Sequence, residues 1–255
     1  MGAGHAHALY IHGHSRVHLL APEVKVAAAF SMVVAVAITP REAFWAFAVY
    51  GALVAAVAVM ASVPPGFLAV RLTAILPFIA FAFLIPFVAS GDRVEVLGLS
   101  VSGEGLWSAW NILVKAVLGA TTSILLVATT EVPEILRGMG KLKVPSVFVS
   151  IAGFMVRYLE LIAEELGRMR NAMRARGYEP RWLWQAGPYA SAAGTLFVRS
   201  YERSERVHAA MLSRGYDGAM PDLSSKPARG TDWAVAAAMP VLALAAALVA
   251  IAGWL

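Results

Sequence analysis

Residues 106–130 read LWSAWNILVKAVLGATTSILLVATT, a long apolar run broken by a single charge, Lys115. Crossing a hydrocarbon core of about 30 Å takes roughly 20 apolar residues in a helix. This run is long enough, so its solvent is lipid. Working outward, comparable apolar stretches occupy 24–39, 43–63 and 72–90 on one side and 233–253 on the other. The first is short, and needs help from its neighbours or a thinner bilayer. Hydrophobic residues make up 59% of the 255 and charged residues 15%, outside the usual range of soluble domains. The fold class that follows is an all-α integral membrane protein with about five transmembrane helices.

Charge placement orients the chain. Of the 21 Lys and Arg residues, all but Arg16, Lys25, Arg41, Arg71, Arg93 and Lys115 lie in 131–230. The positive-inside rule puts that segment in the cytoplasm. Counting back through four spans places the N-terminus inside as well, and the loop Gly91–Gly105, with Asp92, Glu95 and Glu104 against Arg93, outside. The localisation that follows is the inner (cytoplasmic) membrane of the cell. The opening MGAGHAHALYIHGHSR lacks the basic start and apolar core of a cleaved signal. The chain thus divides into a His-rich segment 1–23, a four-helix membrane region 24–130, a cytoplasmic region 131–230 and a last span in 231–255.

The cytoplasmic region is amphipathic. The stretch 145–176 starts at Pro145, runs apolar through SVFVSIAGFMV and turns polar from Arg157; the stretch 188–214 starts at Pro188 and becomes charged from Arg199. Both read as long helices suited to docking more than to spanning. Ten acidic residues in 131–230 reduce its charge to +5, too balanced for a nucleic-acid-binding arm, so no nucleic-acid partner is expected.

The two stretches contain a repeat. Glu164–Pro180, EELGRMRNAMRARGYEP, aligns with Glu202–Gly218, ERSERVHAAMLSRGYDG, at an offset of 38. Glu164/Glu202, Arg168/Arg206, Ala172/Ala210, Met173/Met211, Arg176/Arg214, Gly177/Gly215 and Tyr178/Tyr216 are identical, followed by the acids Glu179/Asp217. A single copy reads as a plain helix stop, with Gly in the left-handed position and a cation at the negative end of the dipole. Two copies with matching flanks fit a partner with two equivalent sockets. There each Arg enters an acidic groove and each Gly allows close backbone approach.

With these residues in place, the chain resembles the transmembrane T components of energy-coupling factor (ECF) importers, whose coupling helices end in paired X-Arg-Gly motifs. Here the motifs are Ala175-Arg176-Gly177 and Ser213-Arg214-Gly215, the Ser replacing a frequent Ala. EVPEILRGMGKLKVPSVF at 131–148 is similar to the family's short interfacial helix, with Leu142 and Pro145 in its closing element. SRVHLLAPEVK at 15–25 is similar to the lead-in of the cobalt and nickel branch, the CbiQ type. The resemblance implies two cytoplasmic CbiO-like ABC ATPase subunits that bind ATP and Mg, and docking through Ala175, Arg176, Gly177, Ser213, Arg214 and Gly215. Met173, Tyr178, Met211 and Tyr216 would support that interface. It also implies a CbiM-like membrane S component that binds the substrate, with or without a CbiN-like small subunit, and a non-catalytic role for this chain with no cofactor of its own.

The remaining residues give weaker signals. Gly138-Met139-Gly140-Lys141-Leu142 lacks the spacing and hydroxyl of a phosphate-binding loop; Gly98–Ser102 falls short of G-x-S-x-G, H-E-x-x-H is absent, and there is no cysteine. His5, His7, His12, His14 and His18 crowd the N-terminus, where a metal site competes with an adventitious tail; no metal site is assigned. Lys115 inside a span either marks the pathway of a stand-alone secondary transporter, the alternative function, or snorkels. Gly119 and Ser123 share one helix face, Pro77 and Pro86 can kink the third span, and Arg157 and Glu160 are spaced for an intrahelical pair.

Overall fold

A computed structural model describes residues 10–13, 15–89, 93–96, 99–178, 182–218 and 230–253. The helices are α1 (Arg16–Leu19), α2 (Pro22–Ile38), α3 (Phe44–Met60), α4 (Pro65–Leu72) and α5 (Leu76–Val88). They are followed by α6 (Gly103–Thr129), α7 (Val132–Lys141), α8 (Ser146–Ala175), α9 (Gly187–Leu212) and α10 (Gly230–Ala252). The chain forms two compact units, one holding Leu9–Gly138 with the C-terminal helix and the other Met139–Ser225.

In the first unit α2 packs on α10 and α6, and α5 packs on α6. The packed surfaces are built from small residues. Ala35, Ala46, Ala243, Ala246, Ala247 and Ala250 are all buried, which lets helix backbones approach closely. Tyr50 is sealed among them, its hydroxyl 2.8 Å from Thr39 Oγ1 and 3.3 Å from the Ala243 carbonyl. Both ends of α2 are fixed by lysines. Lys25 Nζ donates to the Thr129 carbonyl at the end of α6, 3.0 Å, and to that of His18, 3.3 Å. Lys115 Nζ, midway along α6, donates to the Ala37 carbonyl at the end of α2, 2.9 Å. The two helices therefore run in opposite directions, each capping the other. At a rise of 1.5 Å per residue α2 ends only about 20 Å along α6 from the Thr129 end. The shortness expected of the first span is real.

The third span is longer than its apolar core. It runs from Pro65 to Val88 through a 3₁₀ turn at Thr73–Ile75. Pro77 sits in the first turn of α5, where its missing N–H costs nothing, while Pro86 is inside the helix and buried. The region read as a connecting loop at 91–105 is not loop throughout. A short antiparallel hairpin, β1 (Arg93–Val96) and β2 (Leu99–Ser102), pairs Arg93 with Ser102 and Val96 with Leu99; Gly91 and Asp92 lie outside the described residues. Alternation of Val94, Val96, Leu99 and Val101 with polar neighbours is the cue. Ser102 then caps α6 by accepting the Gly105 N–H at 3.3 Å.

Among the described residues four helices have the length and composition to cross a membrane: the α4–α5 run, α6, α8 and α10, with α3 shorter. Of these α8 was expected as a docking helix. Its first half has the apolar composition of a span and its second half does not.

Gly105 and Gly119 lie on the same helix in opposite circumstances. A Cβ on Gly105 would stand 2.7 Å from the Pro86 Cα, whereas one on Gly119 meets nothing within 4 Å. Gly105→Ala is expected to force α5 and α6 apart and cost about 1–3 kcal/mol, while Gly119→Ala leaves stability unchanged or slightly raised. Thermal unfolding of both variants in nanodiscs checks the contrast.

Candidate docking site

The second unit centres on α8 and α9. Pro145 leads into α8 and Pro188 sits in the first turn of α9, as their fixed φ favours. Tyr178, just past α8, donates its hydroxyl to the Gln185 carbonyl, and its ring lies 6.2 Å from that of Tyr189 at the start of α9. Further along, Arg199 of α9 bonds Glu165 of α8 at 2.9 Å, and Arg168 holds the other oxygen of the same carboxylate at 2.5 Å. The start of α9 is thus beside the end of α8, and the two helices run in opposite directions. Such exposed ion pairs add little stability singly, but they fix the register. Arg157 and Glu160 form no ion pair among the described residues; the charge pairing sits one to two turns later, at Glu164, Glu165 and Arg168.

Both helices end in the same motif. The Tyr178 N–H donates to the Met173 carbonyl at 3.0 Å and the Gly177 N–H to that of Arg174 at 2.9 Å; Tyr216 to Met211 and Gly215 to Leu212 repeat these bonds at 3.0 Å each. Gly177 and Gly215 have φ of 75° and 82°, in the left-handed region. These are Schellman stops. Met173/Tyr178 and Met211/Tyr216 occupy the two positions whose side chains usually meet across such a stop, and all four are half-buried. Ala175, Arg176, Ser213 and Arg214 are exposed.

The repeat offset and the helix direction together locate a local twofold. For residues displaced by 38 on opposed helices, the Glu165–Arg199 contact places the axis near Ala163 on α8 and Tyr201 on α9. Arg176 and Arg214 then lie about 20 Å from it along their helices, in opposite directions. Between the helices is a groove of about 430 Å³ lined by Phe154, Tyr158, Ile162, Leu196, Val207 and Met211, among others.

The profile of the cobalt transport protein family CbiQ matches residues 13–224. The chain belongs to this family. It is 28% identical over 186 residues to the cobalt transport protein CbiQ of Rhodobacter capsulatus, covering 70% of this chain and 74% of that one. It is 26% identical over 231 residues to the energy-coupling factor transporter transmembrane protein EcfT of Bacillus subtilis, covering 82% and 83%. A putative fused cobalt transport protein CbiMQ of Methanocorpusculum labreanum matches at 25% over 128 residues, half of this chain and 21% of that longer one. The chain is therefore a multi-pass membrane protein and the T component of an ECF transporter, a CbiQ-type membrane subunit.

Several residues have structural work in this CbiQ relative. The Lys115 ammonium is committed to the Ala37 carbonyl. His18 Nε2 donates to the Ile11 carbonyl at 3.0 Å and its Nδ1 lies 2.7 Å from Ser15 Oγ, so both ring nitrogens are used. His5, His7 and His14 lie outside the described residues, as do Glu179 and Pro180. Sequence reasoning missed a third stop of the same kind. At the end of α7, the Val144 N–H donates to the Met139 carbonyl at 3.2 Å with Lys143 at φ 65°. A Met at the same position as Met173 and Met211 was the available signal.

An L-residue in the left-handed region costs roughly 1–2 kcal/mol that glycine does not. Gly177→Ala and Gly215→Ala are expected to loosen their helix ends by about 1 kcal/mol each, and Lys143→Gly to tighten its own. Amide exchange across the last turn of each helix reads the opposite signs.

Proposed function

We propose that this chain couples two cytoplasmic ABC ATPase subunits to a separate substrate-binding membrane subunit for uptake of cobalt or nickel ions, with Arg176 and Arg214 as the docking residues. The observation that carries the reading is the matched pair of exposed arginines at the two helix stops. A Schellman stop uses Met, Gly and Tyr at its matched positions, and at the position held by Arg176 and Arg214 the helix dipole favours a cation without requiring arginine. Both copies nonetheless have Arg there, exposed and without an ion-pair partner among the described residues. A guanidinium presented from a rigid helix end is suited to an acidic groove, where it bonds carboxylates in bidentate fashion.

The local twofold supports the choice of partner. A pair of equal ends on equal arms matches a dimer with two equal sockets. ATP and Mg belong to those ATPase subunits, whose closure carries the two arms with it, and the membrane subunit rests on the apolar faces of α8 and α9. The name CbiMQ of the fused relative supports a CbiM-like S component beside this chain; a CbiN-like small subunit is a further partner. The charge bias supports a cytoplasmic location for residues 131–230 and the N-terminus.

The hairpin lies along the membrane surface in this reading. Each helix starts apolar and ends charged, and the two are opposed, so each end of the hairpin is apolar on one helix and charged on the other. End-on insertion would drag one charged half into lipid.

Truncating a desolvated, hydrogen-bonded charge costs about 2–5 kcal/mol. With only the ATPase tagged, wild type should copurify, Arg176→Ala or Arg214→Ala should weaken recovery by tens of fold or more, and the double variant should be lost with transport. Intact copurification and transport in the double variant would sink the docking assignment.

A further inference from the structure

Past the stop of α8, two tryptophans stand out from the surface. Trp182 and Trp184 are 62% and 77% exposed, and their rings stack on each other with centroids 5.0 Å apart and planes 6° from parallel. They are held in place. The Gln185 N–H donates to the Trp182 carbonyl at 3.0 Å, closing a turn, and the Gln185 carbonyl accepts from the Tyr178 hydroxyl. Since Tyr178 is also the last residue of the helix stop, the indole pair is pinned to the end of α8.

We propose that the Trp182–Trp184 pair is a membrane anchor, seated in the headgroup layer of an anionic bilayer. Two indoles that stack on each other, with no other ring partner among the described residues, leave apolar ring surface exposed, and an indole is apolar in body with one N–H to satisfy. That chemistry concentrates at the membrane interface, where hydrocarbon and water are both in reach. The surroundings match on three counts. The chain is a multi-pass membrane protein, so a bilayer is always adjacent. The residues that follow, Gly187–Val198, carry no charge and leave Phe197 and Val198 exposed, 71% and 54%. Arg170 and Arg174 are exposed on the last turns of α8, the sign that anionic headgroups attract. Tyr178 and Tyr189, in ring contact beside the turn, add two further amphipathic aromatics.

The absence of cysteine from the chain permits single-site labelling. The full chain, spin-labelled at W184C or W182C, is placed in nanodiscs of phosphatidylcholine and phosphatidylglycerol, with R206C on α9 as the aqueous reference. Collision with lipid-soluble oxygen is expected to exceed collision with a water-soluble nickel chelate several-fold at 182 and 184, and to fall below it at 206. A second measurement keeps the native aromatics. Brominated lipid should quench the emission contributed by the pair, taken as wild type minus W182F/W184F. Aqueous behaviour at 182 and 184 with no such quenching overturns the anchor. So does shielding from both collision partners that appears only when ATPase subunits are added, which would assign the surface to a protein.

Discussion

Two lysines and two helix ends hold the membrane unit together. Lys25 on α2 caps the last turn of α6, and Lys115 on α6 caps the last turn of α2. In hydrocarbon the final carbonyls of a helix have no water to turn to, and each one left bare costs several kcal/mol. An ammonium meets that need and also offsets the negative end of the helix dipole. The exchange is reciprocal, so neither charge is left alone in the apolar bundle. α2 stops where Pro40 disfavours helix at Thr39, and the turn that carries Arg41 and Glu42 into α3 follows. Around the Lys25 end the chain closes further. The Ile11 N–H donates to the Ala128 carbonyl at 3.0 Å, the His18 ring reaches back to Ile11, and α7 brings Gly138 so near α2 that a Cβ would stand 2.9 Å from the Glu23 nitrogen.

The same requirement is met differently at three other helix ends. α7, α8 and α9 all turn their own backbone around to satisfy their last carbonyls, at Lys143, Gly177 and Gly215. A self-sufficient stop frees the side chains of the last turn for other work. That is why an arginine there can face outward without destabilising the helix it ends.

The apolar runs, the two long helices and the repeat were legible because each rests on a local pattern: length of apolar sequence, a shift from apolar to polar, and a Gly-Tyr pair after Arg. The helix starts at Pro145 and Pro188 were legible for the same reason. The role of Lys115 was not, since its partner Ala37 is 78 residues away and is a backbone carbonyl that any residue would supply. Nor were the left-handed Ser62 and Lys143, because glycine is the only residue that announces such a turn reliably. The Schellman bonds also divide the matched residues in a way the repeat alone could not. Met173, Tyr178 and their mates belong first to the stop, and the supporting role implied for them by resemblance rests on positions the fold already uses.

Whether α8 crosses the membrane turns on its neighbour and not on its own composition. Its first half, Ser146 to about Ile162, has Val, Ile, Phe and Leu residues that favour a bilayer by roughly 0.3–0.6 kcal/mol each. Arg157 and Glu160 within it oppose that gain. The groove shared by Phe154 and Tyr158 with Val207, His208 and Met211 shows that the charged half of α9 lies along it. Arg203 and Arg206 lie opposite Leu161 and Tyr158 in the Glu165–Arg199 register, and at the centre of a bilayer each would cost about 2.5–3.5 kcal/mol, which with Arg157 of α8 itself outweighs the apolar gain. At the surface the hairpin loses nothing. Its apolar stripe, Phe148, Ile151, Met155 and Leu159, is exposed toward whatever is apolar and near, and its charges stay in water. Opposed polarity on opposed helices therefore suits the in-plane orientation proposed above for the α8–α9 hairpin.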